Sequence, residues 1–297
     1  MDSVLVTGAL GKVGRWSVDE LADDHDVVGV DLRRPPDGST REGVSYLAAD
    51  LTEQGPIWEL LADLRPDAVV HLAAVPGAGR RAGTETFMTN VASTYSVFEA
   101  AGRVGAEVVW TSSEETYGVT FGDEARRLDR LPIDESHPQR PVDAYGTSKV
   151  VGEVLAERTC RRHDVAVTSV QPSWVQVPGR YETGAVREAF DPEDPTPSGS
   201  LWSYVDVRDV ATIIRRALEV DRDGAAHQAY LAVAADNYLG VPTAEAIEAA
   251  WGSLPEACDL EGEESAFSAA RARRELGWTP EHTWRDAETA DVEVPGP

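Results

Sequence analysis

The sequence contains almost no lysine. Only two of its 297 residues are lysine, Lys12 and Lys149, whereas 25 are arginine. The 52 acidic residues bring the formal net charge to −25 at pH 7. This charge argues against nucleic acid and anionic membranes as partners, because both are negatively charged. It also opposes the compact state in dilute buffer, a repulsion that concentrated salt screens. The composition therefore resembles that of proteins from salt-accumulating halophiles.

Cysteines and long apolar segments are also scarce. The two cysteines, Cys160 and Cys258, lie far apart, and neither they nor the six histidines have the spacing of metal ligands. No apolar run approaches the ~20 residues that cross a bilayer. The first residues enter a strand-like pattern at once, without a basic leader. These absences predict a cytoplasmic protein that holds no metal and contacts no membrane.

Short apolar runs alternate with amphipathic segments through the first half of the chain. This alternation predicts an α/β fold, a doubly wound parallel sheet with right-handed crossovers. After Gln171 the alternation breaks, and a segment rich in proline, glycine and acids follows. The predicted strands are Ser3–Thr7, Asp26–Asp31, Val44–Leu47, Asp67–Ala73, Glu107–Ser112, Val165–Gln171 and Gln228–Val233. The predicted helices are Lys12–Asp23, Gly55–Leu64, Thr86–Val104, one through Tyr145 to about His163, Val207–Glu219, Thr243–Ala250 and Ala266–Leu276, with a frayed tail at 291–297.

Three glycines stand between the first strand and the first helix. Gly8, Gly11 and Gly14 would let the backbone turn tightly, approach a pyrophosphate and direct a helix N-terminus at it. The spacing G-x-x-G-x-x-G differs from the commoner G-x-G-x-x-G, but its position supports a nucleotide site. We therefore predict a Rossmann NAD(P)-binding domain over residues 1–171, its sheet completed by about 203–235. Residues 172–202 and 236–297 would form a small C-terminal substrate-binding lobe.

An acid at the end of the second strand bears on which dinucleotide binds. Asp31 could accept hydrogen bonds from both adenosine ribose hydroxyls, which favours NAD. Arg33 and Arg34 follow directly and could instead hold the 2′-phosphate of NADP. Asp50 and Leu51, after the third strand, could reach the adenine, although Asp50 is also typical of a solvated turn.

Tyr145 and Lys149 are one helical turn apart. A tyrosine titrates near pH 10, so it needs a nearby cation to act as a base at neutral pH. A lysine four residues later lies on the same helix face and can supply that charge. With eight tyrosines and two lysines, such a pair arises by chance roughly one time in twenty. Together with the glycine loop and Ser113 after the fifth strand, the pair becomes specific.

These features resemble the extended short-chain dehydrogenase/reductase family, which includes nucleotide-sugar epimerases and dehydratases. The resemblance covers nearly the whole chain. Its markers are the segments beginning Val6-Thr-Gly-Ala-Leu-Gly, His71-Leu-Ala-Ala, Thr89-Asn-Val-Ala, Thr111-Ser-Ser-Glu-Glu-Thr-Tyr-Gly, Tyr145-Gly-Thr-Ser-Lys, Ser203-Tyr-Val-Asp-Val and Leu276-Gly-Trp-Thr-Pro.

The resemblance implies a role for each matching residue. Tyr145 would be the acid/base, Lys149 would bind the nicotinamide ribose and lower the tyrosine pKa, and Ser113 would orient the substrate hydroxyl. Ser113 is preferred to Ser112 because it lies four residues before Tyr117 of the Tyr-Gly pair. Asn90 would brace the active-site helix. The remaining implied cofactor contacts are Gly8, Gly11, Lys12, Val13, Gly14, Asp31, Arg33, Asp50, Leu51, Ala73, Ala74 and Pro172.

Departures from the family pattern indicate the substrate class. Nucleotide-sugar enzymes hold the diphosphate with arginines. Trp202 stands where one such arginine is expected, and the acidic segment 258–264 stands where another is. Arg180, Arg187 or Arg208 could compensate. An acidic lobe with tryptophans suits a neutral sugar, because indoles stack on sugar faces and carboxylates accept from hydroxyls. The expected substrate contacts are Ser113, Glu114, Trp174, Arg180 and Trp202, although both tryptophans could equally be core.

This pattern resembles the free-sugar branch of the family, the aldose and uronate 1-dehydrogenases. It predicts oxidation of a free pentose or hexose at C1, with Arg180 as the available cation if the substrate is a uronate. A nucleotide-sugar epimerase or dehydratase using the same three residues is the alternative. A non-catalytic NAD(P)-sensing protein is a third possibility, against which the complete Ser113, Tyr145 and Lys149 set argues. The family resemblance also implies a homodimer or tetramer.

Overall fold

A seven-stranded parallel sheet organises the chain. The computed structural model describes residues 1–36, 40–77, 79–119, 128–196, 198–220 and 224–296. In chain order the strands are β1 (Ser3–Thr7), β2 (Asp26–Asp31), β3 (Ser45–Ala48), β4 (Ala68–His71), β5 (Glu107–Thr111), β6 (Arg130–Leu131), β7 (Val167–Pro172), β8 (Val175–Gln176), β9 (Val205–Asp206), β10 (His227–Ala232) and β11 (Ala257–Cys258). The helices are α1 (Lys12–Leu21), α2 (Gln54–Leu64), α3 (Gly83–Val104), α4 (Ala144–His163), α5 (Thr183–Glu188), α6 (Val207–Glu219), α7 (Thr243–Trp251), α8 (Ala270–Leu276) and α9 (Trp284–Ala287), with a 3-10 helix at Glu114–Tyr117.

The strand order confirms the predicted fold class. The large sheet runs β10-β7-β5-β4-β1-β2-β3, and every neighbouring pair in it is parallel. From β1 the chain moves outward through β2 and β3, then returns to place β4 on the other side of β1. The order therefore reverses between β1 and β4, and the carboxyl ends of strands open into a crevice at such a point. This is the Rossmann-type doubly wound α/β fold.

Helices cover both faces of this sheet. On one face α2, α3 and α4 bury side chains such as Ile57 and Phe98. On the other face α1, α6 and α8 bury side chains such as Leu21 and Ile213. Each fully buried large apolar side chain contributes about 1.5–3 kcal/mol. The rigid sheet that results positions the loops at its carboxyl edge.

Two pairs of very short strands organise the rest of the chain. β6 pairs with β11, and β8 pairs with β9. A separate apolar cluster forms around them, with Ile133, Leu201 and Tyr204 among its buried members. After this excursion α6 and β10 return to the large sheet, where β10 forms one edge.

The boundary of α8 differs from the sequence prediction. The helix was expected from Ala266 but begins at Ala270. Phe267 instead forms an isolated parallel bridge with Ile133, and its ring is buried. Extended backbone at Phe267 buries an aromatic ring between two segments, and this packing overrides the local helical preference. By contrast, β1, β2 and α6 have the predicted bounds.

The final segment was expected to fray, but part of it packs against the sheet domain. Residues 289–296 have no helix or strand. Val292 and Val294 nevertheless pack against a small apolar cluster of Trp16, Val207 and Ala211. This burial attaches the segment beside α1. None of the helices in the described parts of the chain is long and apolar enough to cross a membrane.

Candidate active site

The N-terminal turn of α4 lies against the turn that follows β5. Asp143 caps α4, because its Oδ1 accepts from the backbone N–H groups of Tyr145 at 2.7 Å and Gly146 at 2.9 Å. Gly146 has no side chain, and a Cβ there would lie 2.6 Å from the carbonyl oxygen of Glu115. The glycine therefore allows the helix to approach the 3-10 turn that begins after Ser113. Tyr145 and Ser113 meet because of this close approach.

Lys149 is buried one turn further along α4. Its ammonium donates to the carbonyl oxygen of Thr111 at 2.7 Å. It also lies 5.2 Å from the ring centre of Trp110 and 5.4 Å from that of Tyr145. Burial lowers the pKa of Lys149 to about 8, and the carboxylates of Glu115 and Glu153 act in the opposite direction. The ammonium is thus held near the tyrosine but is only moderately basic.

Burial has the opposite consequence for Tyr145. It raises the pKa of the phenol well above its usual value, and the charge of Glu115 raises it further. A hydrogen bond with the Ser113 side chain opposes this rise. Lys149 is not among the main influences on the phenol. The sequence predicts that the lysine lowers the pKa of Tyr145. In this structure burial and the nearby acids dominate, and the net shift of the Tyr145 pKa is upward.

Two acids adjoin this site, the buried Glu114 and the partly buried Glu115. Burial raises the pKa of Glu114 well above its usual value, and its Oε2 has no hydrogen-bond partner. Burial first and Asp143 second raise the pKa of Glu115 to about 7, against the influence of Lys149. Sequence reasoning placed Glu114 at the substrate but missed Glu115. The consecutive acids in Ser113-Glu-Glu, directly after a buried strand, were the available signal.

Ser112 and Tyr117 belong to a buried polar network rather than to the reacting groups. Ser112 donates to Glu153 Oε1 at 2.6 Å, and Gln171 Nε2 donates to the same oxygen at 2.8 Å. Tyr117 in turn donates to Gln171 Oε1 at 2.8 Å. These bonds occupy both hydroxyls inside the protein. The role of Ser113 as the substrate-orienting hydroxyl stays a prediction.

Asn90 ties α3 to α4 and to the loop after β4. Its Oδ1 accepts from the backbone N–H of Val75 at 2.8 Å. Its Nδ2 donates to the Val75 carbonyl and to Ser148 Oγ, both at 3.2 Å. Ser148 donates to the carbonyl oxygen of Tyr145 at 2.7 Å. Asn90 thus connects to the backbone of Tyr145 through Ser148, and its bracing role stays a prediction.

The glycine loop has the shape that a dinucleotide requires. Gly8 has φ +68°, and a Cβ there would lie 2.7 Å from the backbone nitrogen of Ala73. A Cβ on Gly14 would overlap the carbonyl oxygen of Gly8. The cap of α1, Gly11, makes no side-chain hydrogen bond, and the first turn holds no acid. The N–H groups that begin α1 are therefore available to an anion.

Asp31 lies beside this loop at the end of β2. Its Oδ2 accepts from the backbone N–H of Leu10 at 3.1 Å, and its Oδ1 accepts from that of Leu32 at 2.7 Å. Arg33 is exposed just beyond. The proposed roles of Asp31 and Arg33 toward the ribose stay predictions.

The remaining cofactor candidates have different surroundings. Asp50 Oδ1 accepts from both the N–H and the hydroxyl of Thr52, at 2.9 and 2.7 Å, so this acid stabilises its own turn. Leu51 is buried in the core of the sheet domain. Residues Val13, Ala73, Ala74 and Pro172 are partly buried.

Two of the expected substrate residues do not lie beside Ser113, Tyr145 and Lys149. Trp202 is 1% exposed, and the rings of Phe190 and Trp251 pack against it at 5.7 and 5.5 Å. Its indole is core, so it has no free face for a sugar. Arg180 is exposed and lines a cleft with Lys12 beside the glycine loop, and none of Ser113, Tyr145 and Lys149 lines that cleft. Trp174, in contrast, is only partly buried.

Known proteins of similar sequence identify the family of this chain. The chain matches the sequence profile of the NAD dependent epimerase/dehydratase family over residues 4–232. L-arabinose 1-dehydrogenase (NAD(P)(+)) of Haloferax volcanii is 31% identical over 227 residues, which are 74% of this chain and 83% of that protein. UDP-glucose 4-epimerase of Streptococcus mutans is 24% identical over 94% of this chain and 92% of its own length.

Among solved structures, UDP-glucose 4-epimerase of Thermotoga maritima with UDP-glucose superposes with a TM-score of 0.70. It is 19% identical, and the match covers 97% of this chain and 96% of that one. At this identity the likeness concerns the fold. The extent of the family match, together with the identity to the arabinose enzyme, decides the assignment: the chain belongs to the NAD-dependent epimerase/dehydratase family.

Proposed function

We propose that this protein oxidises a free aldose at C1 to the lactone, with NAD(P)⁺ as hydride acceptor. The observation that carries the proposal is that two of the three arginines that could hold a nucleotide diphosphate are already paired with acids, while the third, Arg180, lines the cleft beside the glycine loop. Arg187 contacts Glu288 at 2.5 Å, and Arg208 contacts the buried Asp206 at 2.8 Å. A nucleotide diphosphate needs uncommitted guanidinium donors. A sugar without phosphate needs none.

Three further observations support a free sugar. Trp202, which stands where a diphosphate-binding arginine is expected, is buried in the lobe. The segment 258–264 carries four acids, which would repel a diphosphate. The relative that is 31% identical is named for oxidation of a free pentose, L-arabinose.

The proposed reaction assigns one task to each side chain. Tyr145 removes the proton of the anomeric hydroxyl as C1 loses its hydride. Ser113 donates to the same oxygen and fixes its position. Lys149 holds a positive charge close to the phenol. NAD(P)⁺, when bound, supplies the hydride acceptor and a positive charge.

That positive charge matters because the pKa of Tyr145 is raised. Burial and Glu115 both disfavour the phenolate. A cation introduced nearby favours it. We therefore expect Tyr145 to become an effective base only in the complex with oxidised cofactor, which would make cofactor binding precede proton abstraction.

A substrate panel tests the proposal. Free pentoses, hexoses and uronates are each supplied with NAD⁺ and with NADP⁺ in dilute buffer and in about 1 M salt, where surface repulsion is screened. Formation of reduced cofactor with a free aldose, accompanied by the lactone, is the expected result. Absence of reduced cofactor with every free aldose and uronate would refute it.

The alternative is a nucleotide-sugar epimerase that uses the same three side chains. The 24% identity to a UDP-glucose 4-epimerase over 94% of the chain supports this alternative. Its signature is interconversion of UDP-glucose and UDP-galactose without net reduction of the cofactor. The same panel, extended to these two compounds and analysed by chromatography, separates the two activities.

A further inference from the structure

A cleft of about 320 Å³ lies beside the glycine loop. One wall is Gly11, Lys12 and Trp16, from the loop and α1. The facing wall comes from the segment 175–182, which follows the large sheet into the lobe. Val294 of the final segment also lines it, which makes the packed tail part of the enclosure.

The charge of this cleft is opposite to that of the chain. Its lining holds three cations, Lys12, Arg15 and Arg180, and one acid, Glu182. The whole sequence has 52 acids against 27 basic residues. A local excess of cations in so acidic a protein indicates a site for an anion.

Arg180 is held in place by a tight turn. Its backbone N–H donates to the carbonyl oxygen of Val177 at 2.9 Å. Gly179 has φ +69° in this turn, and its N–H donates to the Ala287 carbonyl at 2.8 Å. The turn therefore presents Arg180 to the cleft from a fixed backbone.

Lys12 connects the two walls. It is the first residue of α1, and its ammonium donates to the carbonyl oxygen of Val175 at 3.2 Å. Arg15 lies about one turn further along α1, away from its N-terminus, and its Nε donates to the Leu10 carbonyl at 3.1 Å. Lys12 and Arg180 are thus the two cations best placed to receive an anion beside the uncapped N-terminus of α1.

We propose that Lys12 and Arg180 hold the diphosphate of NAD from opposite walls of this cleft. Arg180 would then serve the cofactor and not a substrate carboxylate, and the lobe would contribute directly to cofactor binding. An arginine suits this task because its donors match phosphate oxygens in pairs. The inference rests on the NAD dependence of the family and is independent of which sugar reacts.

Binding measurements without any sugar test it. Dissociation constants for NAD⁺, ADP-ribose and adenosine are measured by calorimetry and by quenching of tryptophan fluorescence, because Trp16 lines the cleft. Arg180→Gln should weaken NAD⁺ and ADP-ribose about tenfold, the effect of losing a charge-assisted contact, and leave adenosine unchanged. Lys12→Gln should behave alike, and Arg180→Lys should recover part of the loss.

Two controls accompany these measurements. One is a surface variant, and the other is the KM of the Arg180→Gln protein for a uronate. Arg161→Gln, which removes an exposed arginine from the far end of α4, should leave all three constants unchanged. Unchanged ADP-ribose affinity in a folded Arg180→Gln protein would overturn the proposal. So would equal weakening of adenosine, or a raised KM for a uronate with normal ADP-ribose binding. The binding measurements use no sugar, so they test this proposal even if no free aldose is oxidised in the substrate panel.

Discussion

The ammonium of Lys149 donates a 2.7 Å hydrogen bond to the carbonyl oxygen of Thr111. Thr111 is the last residue of β5, two positions before Ser113. The lysine is therefore attached to the strand that precedes Ser113, the serine proposed to orient the substrate, while its own helix carries Tyr145. One bond links the two elements on which the proposed chemistry depends, and it requires the lysine to be charged for full strength.

The first prediction concerns loss of this charge at alkaline pH. Because burial lowers the pKa of Lys149 to about 8, the ammonium is lost as pH rises through that value. We expect kcat/KM for an accepted aldose to fall there. Lys149→Arg should reduce kcat/KM about tenfold or more, since a planar guanidinium fits poorly, but should abolish the alkaline fall. An alkaline limb at the same pH in both proteins would contradict this assignment.

Removal of the reacting hydroxyls should separate chemistry from binding. Tyr145→Phe and Ser113→Ala should each lower kcat at least about 100-fold, the usual range for lost acid–base catalysis. Cofactor affinity should stay close to that of the parent protein. Tyr117→Phe is the matched control, because that hydroxyl bonds to Gln171 and not to substrate. It should cost about 1 kcal/mol of stability and leave kcat nearly unchanged. An equal loss of kcat in Tyr145→Phe and Tyr117→Phe would refute the assignment of a catalytic role to Tyr145 and a structural role to Tyr117.

Glu115 should set the position of the pH profile. Its charge raises the pKa of both Tyr145 and Lys149. Glu115→Gln removes that charge, so both limbs of the kcat/KM profile should move to lower pH. Glu114→Gln is the comparison: burial raises the pKa of the Glu114 carboxyl well above its usual value, and its charge raises the pKa of Tyr145 less than that of Glu115 does. Its profile should move less than that of Glu115→Gln, even if KM for the sugar rises. Equal shifts in the two variants would contradict this reasoning.

Much of the sheet domain could be predicted because its local and long-range preferences agree. β1 and β2 have apolar interiors and clear ends, so their bounds follow from the sequence alone. Tyr145 and Lys149 were recognisable because both lie on one helix at a fixed spacing. Ser113 was chosen as a candidate because it lies four residues before Tyr117 of the Tyr-Gly pair, a spacing that the family resemblance supplies.

Residues whose roles depend on long-range contacts were harder to predict. Trp202 and Arg180 both follow proline- and glycine-rich segments, where no periodicity indicates which side chain faces inward. The environment of Glu115 depends on Asp143, nearly thirty residues later in the chain. Its raised pKa is a consequence of tertiary packing and has no counterpart in local sequence.

Glu99 should stabilise the packing of α3 against α4, the helix that carries Tyr145 and Lys149. Its carboxylate, 3% exposed, contacts Arg158 at 3.0 Å, Arg103 at 3.2 Å and His163 at 3.2 Å, which joins α3 to α4. Burial alone would raise its pKa, but hydrogen bonds from His163, Arg158 and Arg103 outweigh this and hold the pKa at about 2. Glu99→Gln should cost about 2 kcal/mol at neutral pH.

The sign of the pH dependence follows from the lowered pKa of Glu99. A carboxyl whose folded pKa is depressed stabilises the protein above its unfolded pKa of 4.5. That contribution is lost as pH falls from 4.5 through about 2, so the parent and Glu99→Gln proteins should converge there. Urea unfolding at several pH values measures the difference. Glu157→Gln, which removes an exposed pair with Arg161, should change stability by less than about 0.5 kcal/mol throughout. A constant gap for Glu99→Gln down to the lowest pH would count against the ion-pair explanation.

Gly14 should be intolerant of a single methyl group. A Cβ at this position would overlap the carbonyl oxygen of Gly8, which is a backbone atom and not the end of a flexible side chain. Gly14→Ala should therefore distort the phosphate loop and weaken ADP-ribose binding about 100-fold or more, measured by calorimetry. Gly55→Ala, in the first turn of α2 with open space around it, is the control and should leave binding unchanged and stability within about 1 kcal/mol. Normal ADP-ribose affinity in Gly14→Ala would mean that the loop can relax, and the close-packed account of the cofactor site would fail.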